Sequence, residues 1–177
     1  MKLWMSWWNL IHRLRPACTP ERTFMWMVVV PAGFIIRPDL PGVTSIVRAI
    51  GLTAPCYDRL LDFFHSPAVV IGRLTTIWTD VVLSSFPLIR FKGRVVLVGD
   101  GLKVAKSGKK MPGVKKLHQE SDSNQERPYI FGHSCRAIGV PAGSAVSAFA
   151  VPLMCGIHEG VTFTNRDKRS LVDKMVG

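Results

Sequence analysis

The stretch Arg94-Val-Val-Leu-Val-Gly-Asp-Gly-Leu-Lys-Val-Ala-Lys106 places one carboxylate, Asp100, between two glycines at the end of an apolar run. The apolar β-formers from Val95 to Val98 predict a strand buried on both faces, although periodicity leaves a short buried helix open. Gly99 and Gly101 favour the strand, because such glycines mark a kink or the close approach of a ligand or a second chain. Asp100 is then either a metal ligand or an ordinary turn residue.

The segment that follows Asp100 is rich in lysine and holds no acid from residue 103 to residue 116. Gly108, Pro112 and Gly113 interrupt it, so it is predicted to be a loop. Its unbroken positive charge favours phosphate as a partner. The candidate phosphate contacts are Lys103, Lys106, Lys109, Lys110, Lys115 and Lys116.

Two nucleotide-binding motifs fail in this segment. A Gly-x4-Gly-Lys-Ser/Thr loop ending at Gly108 would need glycine where Lys103 stands and a hydroxyl where Lys110 stands. In the dinucleotide fingerprint, Val104 occupies the position of the third glycine. A polynucleotide is therefore the predicted source of the phosphate.

A longer match rests on Val98-Gly-Asp-Gly-Leu-Lys-Val-Ala-Lys-Ser-Gly-Lys-Lys-Met-Pro-Gly-Val-Lys-Lys-Leu-His-Gln-Glu-Ser-Asp-Ser-Asn124 and Tyr129-Ile-Phe-Gly-His-Ser134. These residues closely resemble the nuclease core of bacterial insertion-sequence transposases of the DDE type, and residues 14–64 resemble the family more weakly. The resemblance implies a ribonuclease-H-like fold with the first catalytic Asp on the first strand, the position that Asp100 matches. It also implies DNA transposition, in which bound magnesium (Mg2+) supports strand cleavage and transfer.

The family needs three carboxylates to hold two metal ions, and only Asp100 matches one of them. Glu159, Asp167 and Asp173 do not fall at the positions of the second and third ligands. The sequence is therefore interpreted as a truncated, catalytically incomplete amino-terminal part of a DDE endonuclease. Its partners are predicted to be DNA and an intact transposase or a second copy. The alternative is a non-catalytic DNA-binding protein that competes with an intact transposase.

Composition agrees with a folded protein that binds an anion. The 177 residues are 47% apolar and carry a formal net charge of +11, which favours nucleic acid or an anionic membrane surface. The four cysteines form no Cys-x-x-Cys pair, so we interpret them as reduced thiols of a cytoplasmic protein, which the resemblance implies is bacterial. His133-x-Cys135 and Cys155-x-x-His158 leave a zinc site open, and ordinary core alternation is the other interpretation.

Helical patterns fill the first half of the chain. Trp4, Trp7, Trp8 and Ile11 have the spacing of an amphipathic helix, which leaves a membrane-surface role open. The apolar run from Phe24 to Ile36 is too short to cross a bilayer and predicts a buried core helix broken near Pro31. We expect no membrane partner, with the surface role as an alternative.

Residues 44–65 predict a helix-turn-helix candidate for DNA contact. Thr44 or Ser45 would cap a first helix ending at Gly51, and Thr53 with Pro55 would start a second helix ending near His65. The second helix is expected to bury Leu60, Leu61 and Phe64 and to expose Tyr57, Asp58, Arg59 and Asp62. A plain αα-hairpin that only packs is the alternative.

The predicted fold class is α+β. Residues 1–90 form a helical region, including a helix over residues 74–83, and residues 91–177 form a truncated ribonuclease-H-like core. Strands over residues 129–140 and 147–157 would complete a three-stranded antiparallel meander, with Pro152 at an edge or a bulge and with His133 and Ser134 near Asp100. A helix beginning near Arg166 would follow.

Overall fold

The computed structural model describes residues 2–38, 42–106, 113–118, 129–144 and 146–158. Contacts divide the chain into one compact unit of residues 1–81 and another of residues 82–177. Over the described ranges the chain has five α-helices and antiparallel strands, which confirms the α+β class. The helix predicted from Arg166 lies outside these ranges, as do Lys109, Lys110 and the acids Glu159, Asp167 and Asp173.

The described part of the first unit is helical and includes two apolar clusters. One cluster joins Val30, Ile46, Leu60 and Phe63, and the other joins Ile11, Cys18 and Phe24. No helix in the described ranges has the length and apolar character needed to span a membrane. The helices are α1 (Lys2–Arg13), α2 (Glu21–Ile36), α3 (Val43–Ile50), α4 (Cys56–His65) and α5 (Ile71–Ser85), the last of which continues into the second unit.

Helix α2 is continuous through Pro31, so the predicted break is wrong. Proline removes one helical hydrogen bond, at a cost of about 3 kcal/mol in a helix interior. Packing offsets that cost, because Val30 and Gly33 are buried in this half of the helix. A Cβ added at Gly33 would collide with the side chain of Ile46 on α3, so the glycine permits the two helices to approach closely.

Helices α3 and α4 each end where predicted, but the predicted caps at their starts are not formed. Gly51 terminates α3 in the left-handed conformation at φ +70°, and α4 ends at His65. The caps assigned to Thr44 or Ser45 are wrong, because α3 begins at Val43 and the Ser45 hydroxyl donates back to the Gly42 carbonyl at 2.9 Å. Thr53 lies 3.5 Å from the Cys56 sulfur and caps no backbone N–H.

The buried face of α4 is rotated from the predicted one. Leu60 is buried as expected, but Phe63 is buried in place of Phe64, which is 47% exposed. Both phenylalanines satisfy helical spacing from Leu60, so the sequence alone does not choose between them. The four residues expected on the solvent face, Tyr57, Asp58, Arg59 and Asp62, are all exposed.

The second unit contains a hairpin and a larger sheet. The hairpin turns at Lys92 and Gly93, whose φ angles of 48° and 76° suit a two-residue turn. The predicted strand buried on both faces is wrong: Val95 ends the hairpin, Val98 begins the next strand, and every residue of that strand is exposed. The strands are β1 (Arg90–Phe91), β2 (Arg94–Val95), β3 (Val98–Ala105), β4 (Lys115–His118), β5 (Tyr129–Gly143) and β6 (Ala148–His158).

Strand β5 is central to the larger sheet, and all of its pairings are antiparallel. Gly132 pairs with Ala105 of β3 and with Lys115 of β4, so β4 lies on the edge of β5 opposite β3. Strand β6 pairs with the same edge of β5 as β4 does, further along the strand. Residues 134–139 of β5 therefore have β3 on one side and β6 on the other. The register of β6 shifts between Ile138 and Gly139, beside Pro152, which confirms the expected bulge.

Replacing Phe63 by alanine should lower the free energy of unfolding by about 3 kcal/mol or more, because it leaves a cavity in the cluster with Val30, Ile46 and Leu60. Phe64→Ala is the matched control and should cost about 1 kcal/mol or less, since its ring is half in water. Denaturant titration of the full chain measures both values. Equal losses in the two variants would contradict the burial of Phe63.

Candidate nucleic-acid interface on the sheet

Asp100 lies on the exposed strand β3, opposite Ala137 of β5. Its Oδ1 atom accepts a hydrogen bond of 2.7 Å from the Gly101 N–H. The carboxylate borders an open depression of about 320 Å³, whose other lining residues include Val98, Leu102, Ala137, Ala150 and Pro152. The carboxylate is therefore accessible to a ligand from solvent.

The expected approach of His133 and Ser134 to Asp100 is wrong. In the β3–β5 register His133 is opposite Val104, four residues from Asp100 and roughly 13 Å away along a regular strand. Ser134 is opposite Lys103, so it projects from the other face of the sheet. His133 is instead 8% exposed. Strand spacing along the sequence does not reveal this register, which depends on where the two strands begin to pair.

The sheet does not assemble the four residues of the zinc alternative. Cys135 is opposite Ile157 and Ala137 is opposite Cys155, which puts both thiols on the Asp100 face. His158 is opposite Ser134 and so projects from the other face. Across the described ranges, no three His, Cys, Asp or Glu side chains are grouped to hold a metal ion.

The predicted phosphate contacts have different environments. Lys103 donates from Nζ to the His118 carbonyl at 2.7 Å, so part of its hydrogen-bonding capacity is used within the protein. Lys106 is exposed at the end of β3, and its backbone N–H donates to the Phe131 carbonyl at 2.9 Å. Lys115 is half-buried on β4, whereas Lys116 is exposed. Lys103 is exposed as well, but its ammonium is already bound to a carbonyl, so Lys106 and Lys116 are the preferred described candidates.

The described charged residues of the second unit are mostly cationic. Asp100 is the single acid among its described residues, from 82 to 158. Such an excess of cations among the described residues attracts a polyanion. The cations in the same ranges are Arg90, Lys92, Arg94, Lys103, Lys106, Lys115, Lys116 and Arg136.

Cys135 reports on the electrostatics of the Asp100 face. Burial raises the pKa of the Cys135 thiol, and the neighbouring Cys155 raises that pKa further. The Lys106 ammonium lowers it, because a nearby positive charge favours the thiolate. The positive field of Lys106 therefore acts on the same side of the sheet as Asp100.

The sequence does not predict two features of the sheet. Tyr129 and Phe131 are exposed at the start of β5, although Tyr-x-Phe in a strand resembles ordinary core alternation. Arg136, opposite Gly101 and Gly156, projects from the face away from Asp100. Its Nε and Nη1 atoms are shielded from water and have no hydrogen-bond partner in the described part of the chain. Nothing in the local sequence around Arg136 signals that burial.

The helix pair in the first unit presents a mixed surface. Arg59 and Asp62 of α4 line a cavity of about 210 Å³ together with Arg22, Trp26 and Ser66. The exposed face of α4 carries Asp58 and Asp62 against Arg59. Arg22 and Arg59 only balance the two acids, so this surface has no excess positive charge for a phosphate backbone and the helix-turn-helix role in DNA contact stays a prediction.

Comparison of the chain with protein-family models, with characterised proteins and with solved structures gives no match.

The placement of Lys106 can be tested through Cys135. Lys106→Gln removes the charge that lowers the pKa of Cys135, so the thiolate fraction and the alkylation rate at pH 8 should both fall. Cys155→Ser should have the opposite effect, because it removes a group that raises the same pKa. Mass spectrometry of iodoacetamide-treated protein measures each site, with Cys56 as the internal control. Unchanged Cys135 rates in both variants would contradict this arrangement.

Proposed function

We propose that this chain is part of a DDE-type insertion-sequence transposase and that it binds DNA over the sheet of its second unit. The observation that carries the proposal is the position of Asp100, an exposed carboxylate on strand β3 of a strongly cationic antiparallel sheet. The antiparallel order β3-β5-β6 is compatible with the opening strands of a ribonuclease-H-like core. A bacterial cytoplasmic location, where chromosomal DNA lies, is part of the same proposal.

Phosphate contacts are the electrostatic part of this function. Lys106 follows β3 and Lys116 lies on β4, and both side chains reach solvent. Each phosphate that a lysine neutralises releases bound counterions, so such contacts supply affinity without reading sequence. Lys103 and Lys115 are secondary candidates, because each is partly engaged within the protein.

The described residues do not by themselves fit a two-magnesium site. Asp100 would be one oxygen ligand for Mg2+, but the described ranges bring no second carboxylate to it. Magnesium prefers near-octahedral oxygen coordination, and metal-assisted strand cleavage in this family uses several acids. The proposal for these residues is therefore DNA binding, with one carboxylate in place for the chemistry of an intact enzyme.

A second candidate function follows from that incomplete ligand set. A DNA-binding chain without a complete metal site would occupy the same DNA as an intact transposase and reduce its activity by competition. It would also be able to pair with an intact transposase or with a second copy. In this role Asp100 would have no catalytic effect.

The lysine contacts can be measured from the salt dependence of DNA binding. Replacing Lys106 and Lys116 by alanine should flatten the slope of log affinity against log salt concentration by about 2, because each phosphate contact contributes about 0.9. Lys2→Ala with Arg13→Ala removes the same charge from α1 and serves as the control, with little change expected. Fluorescence anisotropy with a labelled duplex gives all three slopes. A wild-type slope in the sheet variant would remove these lysines from the interface.

Catalysis provides a separate test. The purified 177-residue chain should neither nick nor join DNA in millimolar magnesium or manganese, because Asp100 alone does not hold two ions. Relaxation of a supercoiled plasmid is a sensitive measure of nicking, with Asp100→Asn as the matched variant. Metal-dependent nicking by the wild-type chain that disappears in Asp100→Asn would show that further acids complete the site.

A further inference from the structure

Aromatic rings and lysines meet on one face of the sheet, where β4 joins the start of β5. In the register of these strands His118 is opposite Tyr129 and Lys116 is opposite Phe131. Directly opposite residues project from the same face, as do residues two apart on one strand. The five residues His118, Tyr129, Phe131, Lys106 and Lys116 are called the aromatic–lysine patch below.

The Tyr129 ring contacts His118, and both Tyr129 and Phe131 are open to water. The centroids of His118 and Tyr129 are 5.2 Å apart at an interplanar angle of 73°, an edge-to-face contact. Tyr129 is nevertheless 49% exposed and Phe131 is 42% exposed. Large apolar rings that remain in water next to one another are typical of a binding surface.

The cations of the patch lie beside these rings. The Lys116 ammonium lies 4.2 Å from the centroid of the Tyr129 ring. On the opposite edge of β5, the Lys106 N–H bonds to the Phe131 carbonyl, so Phe131 lies between two lysine positions. Neither β4 nor β5 contains an acidic residue. The patch therefore combines flat apolar surfaces with positive charge and is complementary to a ligand that has both flat rings and negative charge.

We propose that the aromatic–lysine patch binds single-stranded DNA, with unpaired bases stacked on Tyr129 and Phe131 and with phosphates at Lys106 and Lys116. Exposed aromatic side chains on a sheet receive unpaired bases in this way, whereas the faces of paired bases are hidden within a duplex. A protein partner would not require lysines on both sides of Phe131, so the charge favours nucleic acid.

This inference rests on the proposed DNA binding and names the form of DNA bound. Asp100 is opposite Ala137, and alternate residues of β5 from Ala137 back to Phe131 share its face. A strand bound to the patch would thus lie on the face that carries the carboxylate. Six residues separate Lys106 from Asp100, roughly 20 Å along a regular strand, so a single strand several nucleotides long would be needed to occupy the patch and also reach the carboxylate.

The test compares single-stranded and duplex DNA with the full chain. Tyr129→Leu with Phe131→Leu should weaken binding of a 5′-labelled oligothymidylate by about tenfold or more and leave duplex binding within about twofold. Phe149→Leu, which alters another half-exposed ring, is the matched control and should bind both DNAs normally. Tyr129→Phe should also bind normally, because it keeps the ring. Equal single-strand affinity in the wild type and the double variant would overturn the proposal.

A second measurement uses the unmodified protein, in case the double variant folds poorly. Irradiation of the wild-type chain with an oligonucleotide containing 5-iodouracil should crosslink the peptide that holds Tyr129 and Phe131. Crosslinks confined to other peptides would overturn the stacking proposal. Normal, salt-dependent duplex binding together with such a result would contradict this inference alone. Failure to bind either form of DNA would contradict the proposed function as well.

Discussion

Strand β5 forms backbone hydrogen bonds along both edges, and the arrangement of the second unit depends on this double pairing. A buried peptide group without a partner is costly, so Gly132 and residues 134–139, which pair with strands on both sides, are fixed in one register. A side chain at Gly132 would collide with the Val104 carbonyl, and one at Gly139 would lie 2.8 Å from the Val151 carbonyl oxygen. Glycine at these points permits the pairing, and the resulting register sets which side chains share the face of Asp100.

Local sequence signals predicted where helices end and where a strand bulges, but they did not predict which side chains are buried. Gly51 ends α3 because glycine adopts positive φ without strain, and Pro152 marks a bulge because it donates no hydrogen bond to the ladder. The burial of Phe63 in place of Phe64 depends on how α4 meets α2 and α3, which no local pattern encodes. The apolar run from Val95 to Val98 was misleading for the same reason, because a hairpin divides it and β3 lies exposed.

In the candidate site, too, the sequence identifies the key residue but not its neighbours across the sheet. Asp100 stands out in the sequence because glycines flank it and lysines follow it. Its neighbours depend on strand pairing, which sets Ala137 rather than His133 opposite it. Tyr129 and Phe131 are missed because an aromatic pair at alternate strand positions is more often part of a core than of a surface. Their exposure gives the sheet a second kind of DNA contact, separate from the lysines.

The most direct measurement is site-specific crosslinking from the two faces of the sheet. With the four native cysteines replaced by alanine, a photoreactive benzophenone would be attached at Asp100→Cys or at Phe149→Cys. Phe149 is opposite Ala142 and half exposed, and strand alternation puts it on the other face of the sheet. DNA lying on the Asp100 face predicts strong crosslinking from position 100 and little from position 149. Equal crosslinking from both positions, or crosslinking from position 149 alone, would contradict this account.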